Sequence, residues 1–261
     1  MILELDIGNT RIKWRQIEHE SSTLVAEGHV SGFNEFTLLP ELSQPVRMVR
    51  VCSVRSGELN NKLRLWVKEK YSLDLQLAEV GQSCGGVSNQ YADLSRLGID
   101  RWLAMLAAYR RAGGACIVVD AGTAFTVDVV DASGLHRGGY IIPGLKLMRS
   151  SIEQNTAIRL DPDYSFMAES LGHSTEEAVF NGTLTALVAT INMQVGFVSS
   201  ELNQCGKVYF SGGDAGLLHK HAAIPESEIV PSLVFEGLAI ACPYSEHTQS
   251  VSKTASNKQG D

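Results

Sequence analysis

Apolar residues open the chain as a short run, residues 1–5, that ends in Asp6, Ile7, Gly8, Asn9 and Thr10. Residues 116–119 form a second such run, ending in Asp120, Ala121, Gly122, Thr123, Ala124, Phe125 and Thr126. Both runs have strand length, and both close on Asp-x-Gly followed by hydroxyl side chains. The pattern continues alike after each. In the first half Ile12, Lys13 and Trp14 lead through a polar stretch at 18–22 to a further strand at 23–30. In the second, a strand at 125–130 leads through the turn Ala132, Ser133, Gly134 to another at 135–142. Each half therefore opens with three sequential strands joined by tight connections.

Helical periods and further strands follow. The first half predicts a strand at 46–54, an amphipathic helix at 59–70, a strand at 73–78, and a helix over 98–111 stopped by Gly113 and Gly114. The second predicts helices at 145–154 and 176–199, a strand at 207–210 ending in Ser211, Gly212, Gly213 and Asp214, and a last helix at 233–241. The order βββαβαβα, read twice, predicts two related α/β domains, residues 1–113 and 114–244, each around a mixed sheet and facing one another. From Ser245 onward the residues are polar with little to bury, which predicts a flexible tail over 245–261.

Composition narrows the partners. Hydrophobic residues make up 44% of the 261 and charged residues 20%, the balance of a soluble globular protein rather than a disordered one. The formal charge is −7 and no Lys/Arg cluster stands out, which weighs against nucleic acid or an anionic membrane as partner. It does not weigh against a nucleotide, whose phosphates are held by local backbone N–H groups and metal ions. The five cysteines form no CxxC pair, and Cys52 and Cys116 lie inside apolar runs, so a reducing compartment is expected. The N-terminus lacks the basic start and long apolar stretch of a signal peptide, and no apolar run approaches the length that spans a bilayer. The expectation is a cytoplasmic protein. The seven histidines are scattered, with no HxxxH spacing, which weighs against zinc.

The two Asp-x-Gly turns are the first candidates for chemistry. A glycine there allows a tight turn, and successive N–H groups can cradle a phosphate. The Asp would repel phosphate directly, so it would hold Mg²⁺ through water. One such turn is most simply an ordinary hairpin, because Asp and Gly dominate turns. Two copies opening the same strand pattern favour function. Arg11 and Lys13 share a strand face opposite Ile12 and Trp14, where they either contact phosphate or form a solvated face. Gly98, Ile99, Asp100, Arg101 and Trp102 open a helix. Asp100 reads either as an acid complementing the helix dipole or as a general base, with Arg101 as a fork for a substrate carboxylate. Ser174 and Glu177 fit a capping box, which places Thr175 at a helix start. Ser211, Gly212, Gly213 and Asp214 would let a base or ribose approach the backbone.

With these pieces in order, the chain resembles the type III pantothenate kinases. The matching segments are Asp6-Ile7-Gly8-Asn9-Thr10, Leu97-Gly98-Ile99-Asp100-Arg101-Trp102, residues 120–126, residues 138–144, Ser174-Thr175-Glu176-Glu177 and Ser211-Gly212-Gly213-Asp214. They span nearly the whole chain apart from the tail. The Asp-x-Gly turns are common to the actin-like superfamily, whereas the Gly-x-Asp-Arg segment combined with the second turn is far more specific. The resemblance implies a duplicated ribonuclease-H-like, actin-like ATPase fold. It also implies ATP-dependent phosphorylation of pantothenate to 4'-phosphopantothenate, the first step toward coenzyme A. Asp6, Ile7, Gly8, Asn9, Thr10, Arg11, Ile12 and Lys13 would wrap the ATP phosphates, with Mg²⁺ on Asp6, and Thr123 would also bind the nucleotide. Tyr91, Gly98, Ile99, Asp100 and Arg101 would contact pantothenate, with Asp100 as base and Arg101 on the carboxylate. Thr175 would add a contact, and Asp120 would hold a monovalent cation, K⁺ or NH₄⁺. The family is typically a homodimer. One departure is visible: Leu94 stands where the family often has a proline three residues after the tyrosine, which predicts a loop of different shape beside Tyr91.

The turns alone would equally suit a kinase of the same fold acting on a sugar or acetyl-sugar, or a non-catalytic nucleotide-binding regulator. A neutral sugar leaves Arg101 without a carboxylate, and a pure binder leaves Asp100 without a proton to accept.

Overall fold

The computed structural model describes residues 1–31, 45–55, 57–161 and 170–245. They divide between two compact units, Met1–Ala78 with Ala241–Asp261, and Glu79–Ile240.

In the first unit β1 (Ile2–Ile7), β2 (Ile12–Ile17) and β3 (Leu24–Val30) form an antiparallel meander, followed by β4 (Met48–Ser53), helix α1 (Gly57–Tyr71) and β5 (Leu75–Leu77). The sheet order is β3-β2-β1-β4-β5, with β4 parallel to both β1 and β5. All six residues of the central β1 are buried. The period of two sends Leu3, Leu5 and Ile7 to one face, where they pack with Leu63 and Val67 of α1. On the other face Ile2 packs with Ile17, Met48, Cys242 and Tyr244. Glu4 is also fully buried there, and a buried carboxylate needs charged partners. Arg15 and Arg50 supply them, and Arg50 Nη1 also donates to the Cys242 carbonyl at 2.8 Å. These contacts tie the returning chain, residues 241–245, to the first sheet.

The second unit starts with the hairpin β6 (Ser83–Cys84) and β7 (Val87–Ser88), turned by Gly85 and Gly86. Both glycines have positive φ, as such a two-residue turn requires. A 3₁₀ turn (Leu94–Arg96) precedes helix α2 (Ile99–Ala112), which Gly113 ends in the left-handed conformation. Then come β8 (Cys116–Ala121), β9 (Ala124–Val130), β10 (His136–Pro143), α3 (Leu145–Asn155) and α4 (Thr175–Gly196). A π-helical turn (Phe197–Glu201), β11 (Lys207–Ser211), α5 (Ala215–Ala222), β12 (Ser227–Ile229) and α6 (Leu233–Ala241) complete it. The sheet order is β10-β9-β8-β11-β12, with two antiparallel pairings followed by two parallel ones, as in the first sheet. The duplication read from the sequence is thus a duplication of topology. The fold is the α/β, two-domain arrangement expected. Ile117, Val119, Phe125 and Val127 pack against Leu184, Leu187 and Ile191 of α4.

The compact units do not follow the expected boundary at 113/114. Helix α2 buries Ile99 and residues 101–108 without a break, so it needs apolar partners on more than one side. Its neighbours are in the second unit: Arg101 pairs with Asp128 of β9, and Gly237 of α6 sits so close to the Leu103 backbone that a side chain there has no room. The predicted tail lies outside the described residues beyond Ser245. Residues 175–201 form one helical stretch, and 18 consecutive residues within it reach a mean hydropathy of 1.2, long and apolar enough to cross a membrane by length and composition alone. Its Leu184, Leu187, Val188 and Ile191 face the second sheet as core.

Candidate functional site

Asp6 and Asp120 occupy the fifth position of β1 and β8, the central strand of each sheet, two residues before a glycine turn. In the first turn the Gly8 N–H donates to the Arg11 carbonyl at 3.0 Å, leaving Asn9 and Thr10 exposed at the tip. Beyond it the alternation is as expected: Ile12 and Trp14 are buried, Arg11 and Lys13 exposed. Lys13 Nζ lies 3.7 Å from Asp6 Oδ2, so a cation and a carboxylate flank the turn. The second turn is one residue shorter: Ala121 pairs with Phe125, whereas Ile7 pairs with Ile12.

Arg55, which follows β4, belongs to none of the sequence motifs. Its Nε donates to the Gly8 carbonyl at 2.9 Å and its Nη2 to the Asn9 carbonyl at 2.5 Å.

Around the second turn, three motif segments converge. The Asp214 N–H donates to the Ala121 carbonyl at 3.0 Å and the Gly144 N–H to the Thr123 carbonyl at 3.0 Å. Gly212 adopts φ +92, and a Cβ there would come within 2.5 Å of the Ala121 carbonyl carbon. Only glycine allows that approach. Ser211 Oγ donates to Asp120 Oδ1 at 3.0 Å. Burial raises the Asp214 carboxyl above its usual range, and Arg149 partly offsets the effect. Thr123 is exposed at the turn.

Asp100 stands in the first turn of α2, after Gly98 as N-cap. Its Oδ1 accepts the Arg101 N–H at 2.8 Å. The carboxylate folds back over Gly98, where an added Cβ would lie 2.6 Å from Oδ1. The carboxylate satisfies a helix N-terminal amide and keeps acceptor capacity, since it forms no side-chain ion pair among the described residues.

Arg101 differs from the expectation of a fork open to substrate. Its Nε and Nη2 donate to the two oxygens of Asp128 at 2.8 and 2.7 Å, and only Nη1 faces elsewhere, to the Tyr91 hydroxyl at 3.1 Å. His136 Nε2 meets Asp128 Oδ1 at 2.9 Å, and its ring stacks on Tyr91 at 5.8 Å between centroids. Burial alone would lower the Arg101 pKa, but Asp128 and Tyr91 outweigh it and hold the guanidinium above its ordinary value. A Cβ on Gly139 would meet the Val127 carbonyl and the Asp128 carboxylate, and one on Gly144 the Gly122 and Thr123 carbonyls, so these two glycines make room for this network and for the second turn. Leu94 takes the first position of the 3₁₀ turn, capped by Asp93. Proline is favoured at that position in helices, so leucine and proline suit the same turn here.

Thr175 is exposed at the first position of α4. Ser174 Oγ accepts the Glu177 N–H at 3.1 Å as a capping box requires, but Glu177 Oε2 accepts from His173 N at 2.7 Å instead of Ser174 N.

Residues 2–196 match the family model for type III pantothenate kinase. A type III pantothenate kinase of Ectopseudomonas mendocina (strain ymp) is 42% identical over 250 residues, covering 94% of this chain and 100% of the relative. One of Pseudomonas fluorescens (strain SBW25) is 40% identical over 253 residues, again covering 94% and 100%. Among solved structures, a Campylobacter jejuni chain assigned to the Baf family of transcriptional activators aligns with TM-score 0.58 at 20% identity, covering 90% of this chain and 94% of that one. A Sinorhizobium meliloti chain assigned as a 2-dehydro-3-deoxygalactonokinase aligns with TM-score 0.52 at 12% identity, covering 92% and 98%. At those identities the two structures speak for the fold.

Proposed function

The chain belongs to the type III pantothenate kinase family, and from that premise we infer that it transfers the γ-phosphoryl group of ATP to pantothenate, giving 4'-phosphopantothenate for coenzyme A synthesis. Family membership decides the acceptor that the Asp-x-Gly turns left open between pantothenate and a sugar. MgATP is the phosphoryl donor.

The residue roles rest on the geometry of each unit. In the first, the Asn9 and Thr10 N–H groups at the tip of the turn and the ammonium of Lys13 suit the phosphates, and Asp6 suits the Mg²⁺ they carry through a water. In the second, Thr123 supplies a nucleotide contact from its turn. Asp100 is the general base: it accepts the proton of the attacking pantothenate hydroxyl. The observation that carries this is a carboxylate anchored by one backbone N–H and paired with no side-chain cation among the described residues. Gly98 and Ile99 shape the approach to it. Arg101 meets the pantothenate carboxylate through its Nη1 edge beside Tyr91, because Asp128 occupies the other edge. Thr175 adds a hydrogen bond from the start of α4.

Asp120 suits a monovalent cation. It is a single carboxylate beside a hydroxyl, and no group of three or more His, Cys, Asp or Glu among the described residues forms a divalent-metal cage. A homodimer fits the exposed apolar side chains of Tyr140, Ile141, Leu147 and Met193 on β10, α3 and α4.

The test is an ADP-release assay with ATP and Mg²⁺, run with pantothenate and with a panel of sugars, each with and without K⁺. Release that requires pantothenate and K⁺ supports the reading. Release with a sugar and none with pantothenate overturns it.

A further inference from the structure

Arg55 lies outside every motif discussed above, yet two of its three guanidinium nitrogens donate to one place. Nε donates to the carbonyl of Gly8 and Nη2 to the carbonyl of Asn9, at 2.9 and 2.5 Å. These are consecutive peptide planes at the tip of the first glycine turn. In a trans peptide the N–H of the next residue points opposite to the C=O. Holding the Gly8 and Asn9 carbonyls on the Arg55 side therefore aims the Asn9 and Thr10 N–H groups away from it, as a pair.

The register of the sheet delivers Arg55 to this spot. Ser53, the last residue of β4, pairs with Ile7, the last of β1, and the Val54 N–H donates to the Ile7 carbonyl at 3.1 Å. Arg55 then stands two residues beyond Ser53, as Asn9 stands two beyond Ile7, and its own N–H donates to Ser53 Oγ at 3.3 Å. A guanidinium on two carbonyls also polarises both peptides, which strengthens their N–H groups as donors to an anion.

We propose that Arg55 is a positioning residue for nucleotide binding, which sets the Asn9 and Thr10 amides as a preformed cradle for the ATP phosphates. It acts through the backbone of the turn rather than by touching phosphate. The proposal rests on the reading that residues 6–13 hold those phosphates.

The test measures binding of a non-hydrolysable ATP analogue with Mg²⁺ to the full chain by calorimetry, alongside steady-state kinetics, for Arg55→Ala, Arg55→Lys and Lys13→Ala. Loss of two charge-assisted hydrogen bonds predicts that Arg55→Ala weakens nucleotide binding by about tenfold or more. KM for pantothenate stays close to wild type. Arg55→Lys, with a point charge in place of a planar fork, falls between the two. Added guanidinium ion restores part of the Arg55→Ala loss and leaves the wild type unchanged. A residue that only stabilises the loop would lower the melting temperature without this selective loss, and that result overturns the proposal. So does full nucleotide affinity in Arg55→Ala while Lys13→Ala is weakened. Full affinity in both variants overturns the placement of the phosphates at this turn as well.

Discussion

Asp128→Asn is the sharpest test of how the second unit is held together. Asp128, Arg101 and His136 are 1%, 7% and 0% exposed, so water compensates none of them. The asparagine keeps the shape of the side chain but removes its charge and turns an NH₂ donor toward a guanidinium that can only donate. Arg101 cannot escape by losing its proton: without Asp128 burial pulls its pKa down, but a guanidinium starts so far above neutral that it stays charged. It is left as a buried, unpaired charge. Breaking a buried ion pair in this way costs about 3–5 kcal/mol. With a melting-temperature shift of about 2–4 °C per kcal/mol for a domain of this size, the midpoint should drop by about 6–20 °C. Arg101→Met should be milder, because Asp128 keeps His136 as a partner. The double variant Asp128→Leu with Arg101→Met removes both charges and should recover much of the loss. Urea unfolding with an unchanged slope, together with thermal melting, reads all three. A loss below about 1 kcal/mol for Asp128→Asn, as for an exposed pair, would refute the reasoning. A double variant less stable than Asp128→Asn would refute it too.

Two further outcomes follow from single positions. Gly139→Ala puts a methyl against the Val127 carbonyl and the Asp128 carboxylate, and should destabilise by about 1–3 kcal/mol in urea unfolding through overpacking. Asp131 is drawn upward by burial, but its bonds from Ser133 and Leu135, with Arg137 nearby, outweigh that and hold its carboxyl below the ordinary 3.8. A depressed folded pKa gives stability that is complete above the unfolded value and lost as pH falls through the folded one. The stability gap between wild type and Asp131→Asn should therefore narrow from about pH 5 to about pH 2, and a constant gap would count against this.

The repeat of strands and Asp-x-Gly turns was legible because apolar period and turn chemistry are local. The same holds for α2, whose stop at Gly113 is a left-handed cap, and for the Ser174 cap of α4. What the sequence hid is long-range pairing. Asp128 was visible as a lone charge within the apolar strand 125–130, which is a signal of a buried partner, but nothing local names Arg101, 27 residues away. Arg55 left no signal at all, because its function depends on the register between β1 and β4. The division into compact units differs from the sequence boundary for a related reason: α2 follows the first sheet in sequence but buries its surface in the second unit. The three-residue β12 is too short to show a period.

In the proposed reaction the Asp100 carboxylate removes the proton of the pantothenate hydroxyl. Asp100→Asn keeps an oxygen to accept the Arg101 N–H, so the helix start is preserved and only the base is removed. Formation of 4'-phosphopantothenate should slow by about 100-fold or more while affinity for the nucleotide is retained. Turnover equal to wild type in that variant would contradict the account.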